Sequence, residues 1–388
     1  MTDVRYTDLR GWLGALAAAG MLLHTRDALA RGEQPALAPL IAALDGPALL
    51  RASPGRLAAA LGLYRAPGPL AIALELPPST GWDALLSAAA ARRAALVDAE
   101  FVAPSAAACK QVVLRGAAAD LRRIVPQAVG PLQARLRGVA ICGCPAEGLL
   151  QLGLVAVEPY DAHHARLWPA LPRDPAWAWL RAAAEHSEAV PVAVASGVAP
   201  CITLAAAEQQ PLGDPYAIAS ALQQAPVRVT EGESSELEIP AHAELVIEGH
   251  LAGRAGDALL LAVDVLSHRR DATAEYWPPG THAPEAALLQ RVARGAGVHA
   301  VLAATGRAVR AVALYAWDEI ELAIIQCAAP VGPLDALLDA LRSTAWAETR
   351  VFVVGPGVDP FDPAQVLRAC MAMGESHGAV RVGADGSS

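Results

Sequence analysis

The sequence predicts an α/β protein with a β-rich middle. Three observations predict it. Strand-like apolar runs alternate with Ala-rich helical segments at both ends of the chain. From Cys109 onward, short alternating apolar segments replace that texture. The chain is 388 residues long and 54% hydrophobic, enough for two or three packed domains. The expected division is an N-terminal α/β domain over 1–105, a central β-rich domain over 106–283 and a C-terminal α/β domain over 284–388.

The elements follow in order. Thr7 suits the cap of a helix on which Leu9, Trp12, Leu13 and Leu16 recur at helical spacing, with Gly20 near its end. Alternation continues to about Val102, punctuated by Pro67, Pro69, Pro77 and Pro78. Val112–Leu114 reads as a strand, and Gly116 to Leu121 as a turn. Val190–Ala195 is a strand. Asp214 caps a helix with Pro215 at its first position. Val227–Val229 and Leu237–Ile239 are short strands. Along Ala243–Leu251, Glu244, Val246, Glu248 and His250 share one face, while Leu245, Ile247, Gly249 and Leu251 share the other. Gly253 and Gly256 suit a turn into the strand Ala258–Leu266. A helix over Glu285–Arg294 precedes strands at Val298–Ala303, Val309–Leu314 and Ile320–Ile325. Helix Leu334–Leu341, strand Val351–Val354 and helix Ala364–Met373 complete the pattern. Gly383–Ser388 reads as a disordered tail.

A net charge of −9 argues against nucleic acid, because phosphate binding needs a basic surface. No run reaches the roughly 18 apolar residues of a membrane span, and the apolar start lacks a basic leader. Six scattered cysteines include one close pair, Cys142 and Cys144, with no second pair to complete a metal site. Free thiols are the expectation, and a reducing cytoplasm suits them.

Several segments together resemble the UbiD-type decarboxylases, which use a prenylated flavin. They are Tyr6–Leu13, Cys109–Leu114 with Asp120–Ile124, Val190–Ala195 with Gly197–Pro200, Pro240–Gly249, and Val351–Arg368. The resemblance implies a central split β-barrel that binds the flavin, flanked by two α/β domains. It implies homo-oligomers, decarboxylation of aromatic or α,β-unsaturated acids, and a divalent metal bridging the flavin phosphate. In such enzymes an Asn, a His and a Glu hold the metal, and an Arg and two Glu act on the substrate.

Carried over by position, the metal-binding Asn falls on Gln151, next to a retained Gly153, and the catalytic Arg falls on Ala156. The metal-binding Glu falls on Pro215. His163 and His164 are the nearest candidates for the His. The segment carrying the two catalytic Glu is missing, since the chain runs from Glu248 through Asp257 directly into an apolar strand. Glu248 and Asp257 are weak substitutes. Glu244 and Glu248 read either as a relic acidic pair or as a solvated strand face. Asp257 suits a Gly-rich turn. The histidines suit a surface loop, and His268-Arg-Arg270 an anion site or a charged strand end. Trp168, Trp177 and Trp179 suit core packing, a subunit contact or a ligand surface.

The expected function is that of a UbiD-like homologue without the metal, flavin and acid–base residues, a structural or regulatory subunit with no cofactor. Its expected partner is a copy of itself or an active UbiD-type paralogue, in the cytoplasm. The alternative is a divergent active decarboxylase with prenylated FMN and a divalent metal.

Overall fold

A computed structural model of the chain describes residues 6–25, 46–50, 57–124, 135–144, 149–171, 174–186, 189–208, 214–277, 283–304, 309–317, 320–327, 350–373 and 379–380. The predicted helix Leu334–Leu341 and the tail Gly383–Ser388 lie outside the described residues.

Six long strands build the centre. They are β6 (Leu136–Cys144), β7 (Leu149–Pro159), β8 (His164–Pro169), β9 (Pro191–Ser196), β12 (Leu245–Ala255) and β13 (Ala258–His268). They pair in the order β6-β7-β8-β13-β12-β9, and β9 returns to β6. Every pairing is antiparallel, so the six strands form a closed barrel without free edges. Strand alternation divides the residues between two cores. Val192, Val194, Leu245 and Ile247 share one cluster, and Ala193, Ala195 and Val246 another. Helix α4 (Pro175–Glu185) packs with the first cluster through Leu180 and Ala183.

Other strands extend this sheet. β14 (Thr273–Tyr276) pairs with β6, and β3 (Ala58–Leu61) lies parallel to β14. β2 (Ala48–Leu50) and β1 (Leu23–Thr25) continue it, while β5 (Val112–Arg115) pairs with β13. Three short strands, β4 (Glu100–Phe101), β10 (Arg228–Glu231) and β11 (Glu238–Pro240), form a second sheet. The third sheet joins β15 (Val309–Trp317), β16 (Ile320–Cys327), β17 (Arg350–Val354) and β18 (Ala379–Val380).

Besides a single turn at Leu121–Ile124, the other α-helices among the described residues are α1 (Leu9–Ala18), α2 (Pro67–Ala73), α3 (Trp82–Arg93), α5 (Pro200–Ala206), α6 (Pro215–Gln223), α7 (Ala283–Ala304) and α8 (Pro363–Met373). All but α8 cover the second core cluster, where Trp12, Tyr64, Leu70, Leu85, Tyr216 and Leu289 are buried, and Val366 of α8 packs instead with Ala313, Ile324 and Val354 of the third sheet. α7 packs on α3, α5 and β15.

Three expectations change. Asp8, not Thr7, caps α1, and its carboxylate accepts the Gly11 N–H at 2.8 Å. The predicted strand Val298–Ala303 is instead the last part of α7, because Ala-rich sequence continues the helix and packing of Val298 against the core extends it. The turn after β12 is Gly256-Asp257 alone. Gly253 stays in the strand at a bulge, with a φ of 116° that favours glycine.

Candidate functional site

The position expected to bind metal sits beside a small cavity. Gln151 on β7 lines it with Leu152, Ala176, Ala205, Glu208, Pro215 and Ile218. The sequence therefore brings Gln151 and Pro215 to one place. Pro215 occupies the first position of α6 because Asp214 caps that helix, accepting the Tyr216 N–H at 2.9 Å. The amide oxygen of Gln151 is buried without a hydrogen-bond partner. The cavity measures about 20 Å³, room for about one water.

Two carboxyl groups missed by sequence reasoning flank this place. Glu208 follows α5 and pairs with Arg93 of α3. Burial outweighs that cation and pushes the Glu208 carboxyl up to about 7. Asp174 caps α4 through the Trp177 N–H at 3.2 Å, while its second oxygen has no partner. Burial likewise raises Asp174 to about 7. Gly153 is required there, since a Cβ would fall 2.9 Å from Asp174 Oδ2. The Asp-Pro pair at 174–175 repeats the Asp214-Pro215 signal, and that repetition was the clue available in the sequence.

Ala156 lies farther along β7, fully buried, and does not line this cavity. Its cross-strand neighbours are Arg137 on β6 and Trp168 on β8. Arg137 is 2% exposed and donates to Glu275 from Nε at 2.8 Å and also from Nη2. Its guanidinium sits 4.1 Å from the Tyr64 ring centroid and 5.4 Å from that of Trp277. Glu285 completes this buried group, 3.7 Å from Arg137 and 3.6 Å from Arg65. Arg135 covers Trp168 at 3.9 Å.

The acidic face of β12 is covered rather than solvated. Glu244 and Glu248 are both fully buried. Glu244 accepts from Arg10 at 2.7 and 2.8 Å, from Arg269 at 3.2 Å and from the Thr273 N–H at 3.0 Å. Asp8 holds Arg269 from the other side at 2.9 Å. Arg269 is thus the charged strand end of the His268-Arg-Arg270 run. Glu248 accepts the N–H groups of Glu233 at 2.6 Å and Ser234 at 3.0 Å. Burial raises its carboxyl despite these donors. The period of two placed both Glu on one face, but the groups covering that face range from Glu233 and Ser234, 15 and 14 positions from Glu248, to Arg10, 234 positions from Glu244.

The other candidates are scattered. Asp257 stands in the exposed tip of the β12–β13 hairpin. His163 is exposed, and His164 pairs with Asp161 at 2.8 Å at the β7–β8 connection, away from the Gln151 cavity. Of the three tryptophans, Trp168 packs against the core of α1 and Tyr64, and Trp177 and Trp179 against the barrel core. Among the described residues, no group of three or more His, Cys, Asp or Glu is arranged to hold a metal ion.

Comparison with known proteins places this geometry. Residues 101–258 match the family model described as UbiD, the 3-octaprenyl-4-hydroxybenzoate carboxy-lyase Rift-related domain. This stretch is a UbiD-family domain. The likeness in fold extends beyond it. Vanillic acid decarboxylase of Sedimentibacter hydroxybenzoicus is 21% identical with a TM-score of 0.76, covering 95% of this chain and 84% of that one. The UbiD-class enzyme HmfF of Pelotomaculum thermopropionicum, in complex with prFMN, is 23% identical with a TM-score of 0.73, covering 94% and 89%. The 3,4-dihydroxybenzoic acid decarboxylase of Enterobacter cloacae is 19% identical with a TM-score of 0.73, covering 94% and 85%. The closed six-stranded barrel is the UbiD-type barrel.

The residues of this UbiD-type chain do not fit a flavin phosphate bridged by a divalent metal. A hard cation needs several oxygen ligands with carboxylate charge. Pro215 offers no ligand atom, the Glu208 carboxylate is taken by Arg93, and Gln151 contributes one amide oxygen.

Proposed function

We propose that this chain is a non-catalytic member of the UbiD family, acting as a structural or regulatory subunit of a decarboxylase or carboxylase assembly. The observation that carries the reading is the state of the charged groups on the barrel. Ala156 offers only a methyl group where the resemblance puts the substrate-binding Arg. The nearest arginine on that face, Arg137, is committed to Glu275. Glu244 and Glu248 are committed to arginines and backbone N–H groups. General acid catalysis requires a carboxyl within reach of the reacting atom. Each buried carboxyl on this face serves an internal partner instead. Loss of an acid–base group costs about 10² to 10⁴ in rate, and loss of the arginine adds to it.

The partner is a second copy or an active UbiD-type paralogue. The S. hydroxybenzoicus structure is that of ShVdcCD, and the HmfF structure that of an evolved dimeric form, so neighbours in fold do assemble. The reading is tested by co-expression with a flavin prenyltransferase, followed by visible spectroscopy, metal analysis and CO₂ release from a panel of aromatic acids. We expect a colourless, metal-free protein with no CO₂ release. Stoichiometric flavin absorbance together with CO₂ release overturns the proposal in favour of a divergent decarboxylase.

A further inference from the structure

The first turn of α7 carries a charge in an unusual place. Glu285 is 1% exposed, and neither carboxylate oxygen has a hydrogen-bond donor. The fully buried charges around it are one cation, Arg137 of β6, and a second anion, Glu275 of β14. Arg137 gives its hydrogen bonds to Glu275. Arg65, from the loop before α2, stands 3.6 Å from Glu285 but is partly solvated. The Tyr64 ring closes the cluster. Farther along α7, Arg93 and Glu208 face Gly297, and His299 meets Ser87 of α3 at 3.2 Å.

An ionised carboxylate without donors is costly in such a site, and a protonated one is far cheaper. The alternative for the ion is water. Unwinding the first turn of α7 would withdraw Glu285 from Arg137 without involving the hydrogen bonds that Arg137 of β6 gives to Glu275 of β14. We propose that Glu285 is a proton-controlled latch: protonated, it seats the first turn of α7 on the barrel, and ionised, it releases that turn. Because α7 packs on β15, the latch sets how firmly the C-terminal sheet is tied to the barrel.

The sign follows from linkage. Burial is the largest influence on Glu285 and raises its carboxyl from 4.5 to about 7 when seated. The released form titrates at the ordinary value. Raising pH between these two values therefore favours release by about tenfold per pH unit, and above the upper one the effect levels off.

The test is hydrogen exchange of the α7 amides between pH 5 and 7.5, corrected for intrinsic exchange chemistry, on the full chain. Opening of the first two turns should rise more than tenfold across that range. Glu285→Gln should remain protected at both ends. Arg65→Gln, which removes a cation from the half-open side of the cluster, should move the midpoint to higher pH. A flat profile in the wild-type chain, or the same rise in Glu285→Gln, overturns the latch. Should Glu285→Gln fail to fold, Arg65→Gln decides, and an unmoved midpoint sinks the proposal.

Discussion

At the scale of single residues, the buried carboxyls differ in how they are satisfied. Glu244 receives two arginines and a backbone N–H, so its charge is matched on all sides. Removing Glu244 leaves the buried Thr273 N–H without its acceptor, while Arg269 keeps Asp8 and Arg10 stays half in solvent. Glu244→Ala should cost about 1–3 kcal/mol in urea unfolding. Asp174 is the opposite case, with one oxygen lacking a donor. Its carboxyl is raised from 3.8 to about 7, by burial first. The folded chain therefore holds that proton more tightly than the unfolded chain does. The resulting penalty is absent below the unfolded value and complete above the folded one. Asp174→Asn keeps the helix cap and should gain on the order of 1–3 kcal/mol at pH 8, and nothing at pH 4. Unfolding midpoints at both pH values check this. Sequence reasoning reached Gln151 and Pro215 by resemblance, and the structure brings those two to one cavity. It missed Asp174, Glu208, Arg137, Glu275 and Glu285. Their meaning comes from partners brought in by the fold, as when Arg10 meets Glu244 from 234 positions away in sequence.

At the scale of elements, β12 and β13 leave no room for a side chain at one bulge. A Cβ on Gly249 would lie 1.8 Å from the Ala262 carbonyl oxygen, and the register shifts between Glu248 and Gly249. Gly249→Ala must push two barrel strands apart, at roughly 2–4 kcal/mol. Thermal unfolding of that variant should show a clear loss of Tm. Elements with local signals were legible in the sequence. The Asp-Pro start of α6, the period-two run of β12 and the apolar runs of β15 to β17 all formed near their expected bounds. The sequence ends α7 too early because Val298–Ala303 is apolar enough for a buried strand. An apolar run of that length does not distinguish a covered strand from a covered helix. Closure of the barrel by β9 on β6 has no local signature at all. It came only through resemblance to a known family.

At the scale of the whole molecule, three buried carboxyls share one tendency. Asp174, Glu208 and Glu285 are each raised to about 7, with burial the leading cause. Each takes up a proton on folding between its ordinary value and that one. Their joint contribution to stability is therefore complete below about pH 4 and is lost progressively as pH rises to about 7. Urea midpoints at pH 5, 6, 7 and 8 measure the slope, and the triple variant Asp174→Asn, Glu208→Gln, Glu285→Gln should flatten it. The pairing of β3 with β14 has another consequence, for synthesis on the ribosome. Ala58–Leu61 leave the exit tunnel long before Thr273–Tyr276, the segment that pairs with them. At roughly 5–20 residues per second, that delay lasts about ten to forty seconds. During it, the edge of β3 that later meets β14 lacks the strand that covers it in the finished fold, and an uncovered strand edge is a template for pairing with other chains.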